Sequence, residues 1–236
     1  MGRGAPDRPV LEALTLASAA LARYESLAVG TLVLDVTKRH PALAAKSIAT
    51  IASMAEGRLS IGLGAGGDAT EHAALGIEFG AIEERLELME ETVGIFRAML
   101  EGDPTQRITR RTVGVAPTLV GASSAPRPTQ QVPLYIAGDH ERSIDLAARA
   151  GDGWIAPAAS FARGIKRFRE ASERAGRPRL TALTLQELGK DESLGETPFG
   201  RDPRGWLATQ RATGADCAVI TLRSRRDVEQ FSAMIP

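Results

Sequence analysis

Six short, continuous apolar runs punctuate the chain, at residues 27–34, 58–63, 132–137, 153–156, 180–185 and 217–222. Such runs, too apolar for alternation, are the pattern of strands covered on both faces. Helical periodicity fills most of the gaps between them. Residues 41–55 open with Pro41, repeat apolar side chains at Ala44, Ile48, Ile51 and Ala55, and meet Gly57 as a stop. Residues 84–101 carry Leu86, Met89, Val93, Phe96 and Leu100 at alternating spacings of three and four, which paints one apolar stripe along a helix. Further helices are predicted over 141–150, over 161–175 before Gly176 and Pro178, and over 202–213 before Gly214. Strands alternating with helices imply βαβ units and a parallel sheet, doubly wound or closed into a barrel, and periodicity leaves that choice open. The polar stretch 102–131, with Pro104, Pro117, Pro126 and Pro128, reads as a long excursion holding one strand at 113–120, and 189–205 reads as a second loop.

Composition narrows the partners. With 236 residues, 43% apolar and 25% charged, the chain can bury a large core and is expected to form one α/β domain. Its 29 basic residues balance 29 acidic ones and are scattered, so no footprint for nucleic acid or an anionic membrane appears, and a small molecule is the expected partner. No run reaches the roughly 18 apolar residues of a membrane span, and no apolar segment precedes Pro9 as a secretory signal requires. The single cysteine, Cys217, excludes an internal disulfide and any CxxC metal site and suits the cytoplasm. Lying in an apolar run, it is expected to be an inert core thiol. His40 and His72 stand in no carboxylate or cysteine spacing that supports a metal, and His40 is expected to cap the helix that begins at Pro41.

The segment GLGAGGD, residues 62–68, leaves a strand and matches G-x-G-x-x-G at Gly62, Gly64 and Gly67. A dinucleotide fold requires a helix at once, then a second strand ending in an acid about 20 residues on. The acids at that distance, Glu83, Glu84 and Glu87, begin an amphipathic helix instead, which argues against that fold. Two readings stay open: a tight βα turn with no further role, and a cofactor contact at the C-terminal end of a parallel strand, where α/β folds bind ligands.

Residues 29–79 contain Arg39-His40-Pro41 before a helix, then Gly57-Arg58, Gly62-Leu63-Gly64, Gly66-Gly67-Asp68 and Ala74-Leu75-Gly76-Ile77. A second block, VPLYIAGDHERSIDLAARAGDGW at 132–154, holds the turn Gly151-Asp152-Gly153, and GADCAVITL closes the chain's last strand. In these blocks the chain resembles the luciferase-like flavin and deazaflavin oxidoreductases, above all the F420-dependent methylenetetrahydromethanopterin reductases. The resemblance implies a (β/α)8 TIM-barrel type fold with the cofactor across the C-terminal ends of the strands, passing hydride to or from a small organic substrate. The family has two more strands before the position of Leu11 and helices inserted before the last strand, so about six of eight barrel strands are expected here. Open strand edges then call for a homodimer or larger assembly. Coenzyme F420 is the cofactor the resemblance favours, with FMN as the alternative. A non-catalytic cofactor-binding or interaction subunit is the remaining reading.

The resemblance also implies which residues touch the cofactor. Thr31, Leu32, Val33 and Asp35 lie on the strand behind its ring, with a non-proline cis peptide expected between Leu32 and Val33. Gly64, Ala65, Gly66 and Gly67 form the adjoining turn. Asp68 is the candidate catalytic acid, although gapless comparison puts the relatives' acid at Gly67, and a loop-capping Asp is the other reading. Asp35 stands where relatives have asparagine. Ala137, Gly138, Asp139 and His140 lead into a helix whose free N–H groups suit a phosphate, while Asp139 and Glu141 also suit plain capping.

Overall fold

All six apolar runs become strands, and the reason is visible in the second: Leu59, Ile61, Gly62, Leu63 and Gly64 are buried, so this strand has no polar face to expose. The computed structural model describes residues 11–102, 108–110, 119–122, 126–189 and 191–234. They fall into two units, Met1–Ala137 and Gly138–Pro236.

In the first unit α1 (Ala13–Arg23) precedes β1 (Val29–Asp35), a 3₁₀ turn (Val36–Lys38) and α2 (Pro41–Ala55). Next come β2 (Leu59–Gly64), the short α3 (Ala69–Ala74) and α4 (Ile82–Leu100). An antiparallel pair, β3 (Ile108–Arg110) and β4 (Leu119–Ala122), leads to β5 (Leu134–Ala137). Strands β1, β2 and β5 lie side by side and parallel, so the crossovers that the helices make are the βαβ units expected from the alternation. The predicted stripe on α4 is the buried one, with Leu86, Met89, Val93, Phe96 and Leu100 all inside. Most of the predicted strand at 113–120 lies outside the described residues; Leu119 and Val120 belong to β4.

Helix α1 is not foreseen by the sequence reading. Glu12 caps it, accepting from the amides of Leu14 and Thr15 and the Thr15 hydroxyl, and pairs with Arg39. Burial works against the ionised carboxyl, but those donors and Arg39 outweigh it and hold Glu12 down at about 2. At the other end Arg58 donates to the carbonyls of Leu21, Tyr24 and Leu27, which satisfies acceptors the helix end leaves open. His40 occupies the residue before α2, as expected, yet its side chain makes no capping bond. Pro41 follows it and has no N–H to offer, which weakens the need for a cap.

The second unit contains α5 (Glu141–Ala150), β6 (Gly153–Pro157), α6 (Ala158–Arg174) and β7 (Thr181–Gln186), then α7 (Pro198–Arg201), α8 (Pro203–Ala212), β8 (Cys217–Ile220) and α9 (Arg225–Met234). Strands β6, β7 and β8 are parallel. The expected loop at 189–205 is instead a packed corner: a 3₁₀ turn at Leu194–Glu196, then α7, then the start of α8. Leu194, Phe199 and Trp206 form a small core there with Phe231 and Met234. Buried Asp227 closes it by accepting from the amide of Leu194 and from those of Arg223 and Ser224, and these bonds, the Leu194 amide foremost, hold its carboxyl below the usual range. Cys217 is exposed rather than in the core, because among the described residues β8 pairs with β7 alone and is an edge strand.

Trp154 on β6 is wholly buried, stacks on Phe161 at 5.2 Å and donates through Nε1 to the Gly138 carbonyl at 2.7 Å. Helix α6 crosses it at Gly164, where an added Cβ would stand 2.6 Å from the indole. The Gly164→Ala substitution should therefore destabilise the protein by about 1–3 kcal/mol through overpacking, read by chemical denaturation. An unchanged midpoint would show that the indole can move aside.

Candidate functional site

The site begins with a fault in the ladder between β1 and β2. From Thr31 to Leu34 the first strand advances three residues while its partner advances two, from Ile61 to Leu63. One residue is therefore extra, as in a bulge, and backbone pairing lapses there. The buried Thr31 hydroxyl fills the lapse: it donates to the Gly62 carbonyl at 3.0 Å and accepts from the Gly62 amide at 3.1 Å. Within the irregular stretch the peptide between Leu32 and Val33 is cis, as the resemblance implied. The Leu32 side chain is 47% exposed, and Val33 packs so closely over Gly64 that a Cβ there would meet its methyl at 2.6 Å.

Beyond the fault both strands end together. Asp35 pairs with Gly64, and the turn that follows brings Gly66 beside the Asp35 carboxylate. Gly66 has φ +79°, and a Cβ on it would lie 3.0 Å from both carboxylate oxygens, so conformation and space each require glycine. Gly67 is exposed, with nothing within 4 Å of where its Cβ would be. The turn thus presents bare backbone, flanked by a half-exposed leucine and a carboxylate. Such a surface fits a flat heterocycle with a polar edge.

Asp68 caps α3, accepting from the amides of Thr70 and Glu71 at 3.0 and 3.1 Å. Its carbonyl accepts from His72 Nδ1 at 2.7 Å. His72 is fully buried, and its Nε2 reaches the Thr37 hydroxyl at 2.5 Å, which is itself 2.6 Å from Asp35. Lys38 bridges Glu71 at 2.7 Å and Asp35 at 3.5 Å. Phe79 packs on the His72 ring, and the Arg85 guanidinium covers Phe79 while donating to the carbonyls of Ala65 and Gly80. Arg85 therefore ties α4 to the glycine turn.

The first-unit candidates Thr31, Leu32, Val33, Asp35, Gly64, Ala65, Gly66 and Gly67 thus share one strand-end region. Sequence reasoning missed Thr37, Lys38, Glu71 and Arg85 and undervalued His72. The available signals were local: Thr37 two residues after Asp35, and His72 four after Asp68.

Ala137 ends β5, and in the second unit Gly138, Asp139 and His140 lead into α5. His140, not Asp139, caps the helix: its Nδ1 accepts from the Arg142 amide at 3.2 Å, so a neutral ring carries its proton on Nε2. A cleft of about 350 Å³ beside this helix start is lined by Asp139, Glu141, Ser160, Arg163 and Arg167 among others. Arg167 is engaged by Glu141 and Asp145, and its bond to Asp145 lowers that carboxyl and raises the guanidinium. An anion held here would meet the amides of the helix start and Arg163, whose Nη1 donates to the Ala159 carbonyl. In the first unit an open groove of about 820 Å³ runs between α1 and α2 past Arg39 and His40, and none of the proposed cofactor contacts lines it.

The chain is similar to several known proteins. The F420-dependent glucose-6-phosphate dehydrogenase of Beutenbergia cavernae is 35% identical over 144 residues, covering 61% of this chain and 41% of its own length. That of Nakamurella multipartita is 31% identical over 194 residues, covering 79% and 55%. The chain thus spans about half the length of the curated relatives it matches. Among solved structures, an F420-dependent secondary alcohol dehydrogenase in complex with an F420-acetone adduct superposes with a TM-score of 0.69 at 21% identity, over 98% of this chain and 78% of that one. EDTA monooxygenase from Chelativorans gives 0.64 at 18%, over 90% and 56%. These likenesses establish the fold as the incomplete TIM-barrel type expected, with three parallel strands in each unit. The sequence profile of the luciferase-like monooxygenases matches residues 2–186, and the chain belongs to that family.

Proposed function

We propose that the protein is an F420-dependent oxidoreductase that moves hydride between the deazaflavin and a small organic substrate. The observation that carries this is the bare turn at Ala65–Gly67, set between exposed Leu32 and the Asp35 carboxylate. When bound, the cofactor supplies two-electron hydride chemistry; the chain supplies orientation and a partly buried carboxylate at the ring's polar edge. Thr31, Leu32 and Val33 back the ring, Asp35 stands at its polar edge, and Gly64, Ala65, Gly66 and Gly67 lie along it. Gly67 leaves no acid at the place where relatives carry one, and Asp68 is the nearest substitute, though two amides occupy one of its oxygens. For the end of β5 and the start of α5, Ala137 through His140, the reading is phosphate binding. The Asp139, His140 and Glu141 amides have no partner among the described residues, and exposed His140 offers Nε2–H.

FMN is the second reading, and the family profile that matches the chain is that of luciferase-like monooxygenases. A homodimer or larger assembly belongs to the same proposal, supported by the one-sided pairing of β1 and β8 and by exposed Leu11, Leu16, Leu43 and Met54 on or beside α1 and α2. No described helix is long and apolar enough to cross a membrane. The cytoplasm is proposed as the location, in keeping with the exposed free thiol of Cys217.

Fluorescence titration of the purified protein should show F420 binding at least about tenfold more tightly than FMN, a margin of about 1.4 kcal/mol. Tighter FMN binding would move the protein to the monooxygenase reading, and binding of neither would favour a non-catalytic subunit. Sedimentation at micromolar concentration should show a dimer or larger species, and a stable monomer would contradict the assembly.

A further inference from the structure

Hydrogen-bond connectivity fixes more about His72 than its position. A backbone carbonyl can only accept, so the proton of the 2.7 Å contact to Asp68 sits on Nδ1. Nε2 faces the Thr37 hydroxyl, and that hydroxyl also faces Asp35 Oδ1. A threonine carries one hydroxyl proton and can donate to only one of these neighbours. With a neutral ring and an ionised Asp35, the other contact would bring lone pairs together with no proton between them. One further proton resolves the conflict. It can sit on Nε2, with Thr37 donating to Asp35, or on Asp35, with Thr37 donating to Nε2. The two states differ only by protons shifted along the chain.

Charge supports the same count. Lys38 supplies one positive charge against the carboxylates of Asp35 and Glu71, and a doubly protonated His72 supplies the second. The remaining charged neighbours do not alter this balance: the Asp68 carboxylate is turned to the amides of Thr70 and Glu71, and Arg85 lies beyond Phe79. His72 is wholly buried, whereas the Asp35 side chain is 16% exposed beside Gly66, so the relay has an inner reserve and an outer end.

We propose that Asp35, Thr37 and His72 form a proton relay kept loaded with one extra proton, and that Asp35 donates it to the substrate that meets the ring's polar edge beside the glycine turn. Resting on the F420 reading, this assigns the site the reductive direction. A bound reduced deazaflavin would supply hydride, with its electron pair, to the carbon of a substrate's polarised double bond; the other atom, left with the π pair, would take its proton from Asp35. His72 Nε2 replaces that proton through Thr37, and solvent reloads the relay at its exposed end, Asp35. The substrate would gain two hydrogens, one as that hydride with its electron pair and one as the proton, and one proton would be drawn from solvent. Asp35 is the catalytic residue; Thr37 and His72 act through it.

The test is NMR of cofactor-free protein carrying isotope-labelled histidine and aspartate side chains, with His72 assigned by its loss in His72→Gln. At neutral pH the expected result is either two protonated ring nitrogens on His72 or a protonated Asp35 carboxyl. A His72 ring protonated at Nδ1 alone beside an ionised Asp35 would overturn the proposal. Thr37→Val removes the hydroxyl whose single proton the two neighbours compete for and keeps the residue-37 amide that donates to Asp35, so nothing then demands the extra proton. His72 should then be neutral, and a ring still doubly protonated in that variant would also overturn it. With no cofactor present, failure here is independent of failure in the F420 titration.

Discussion

The hydroxyl of Thr31 is the small interaction on which the site depends. Where β1 gains a residue against β2, a buried amide and a buried carbonyl of Gly62 are both supplied by that one side chain. Leaving two such groups unpaired would cost about 1–3 kcal/mol each. With them satisfied, the two strands resume pairing at Leu34 and end in step, Asp35 beside Gly64. That shared ending places a carboxylate against a turn that only glycine can make at residue 66.

The surroundings of Asp35 follow from the same ending. The chain turns at once into Val36–Lys38, which brings Thr37 onto the carboxylate, and the capping of α3 by Asp68 aims His72 inward at Thr37. Phe79 and Arg85 then close the far side and anchor the turn to α4, a helix held by a long buried stripe. Rigid elements therefore hold a short polar cluster in place, as a site that must orient a ligand requires.

Much of this fold is legible in the sequence because its signals are local. The run at β2 and the stripe on α4 declare themselves within a dozen residues. Helix α1 is harder to read, since exposed Leu11 and Leu16 blur the stripe of Leu14, Ala17 and Leu21. Helix α9 buries Asp227 and little else, and the corner at 194–206 depends on that residue reaching back to Leu194. Cys217 misled for a related reason: an apolar run does not say whether its strand has a neighbour on both sides. In the site, the strand end and the glycine turn are readable as motifs, and the cis peptide through family resemblance alone. The contact between Thr37 and His72 joins positions 35 residues apart that no periodicity links.

The central claim is that the ends of β1 and β2 hold the cofactor ring. Hydrogen exchange measured with and without F420 tests it directly. Binding should slow exchange in residues 62–72 and 29–38 by at least about tenfold, about 1.4 kcal/mol of added protection. Protection confined to other segments, with F420 demonstrably bound, would place the ring elsewhere and contradict the account.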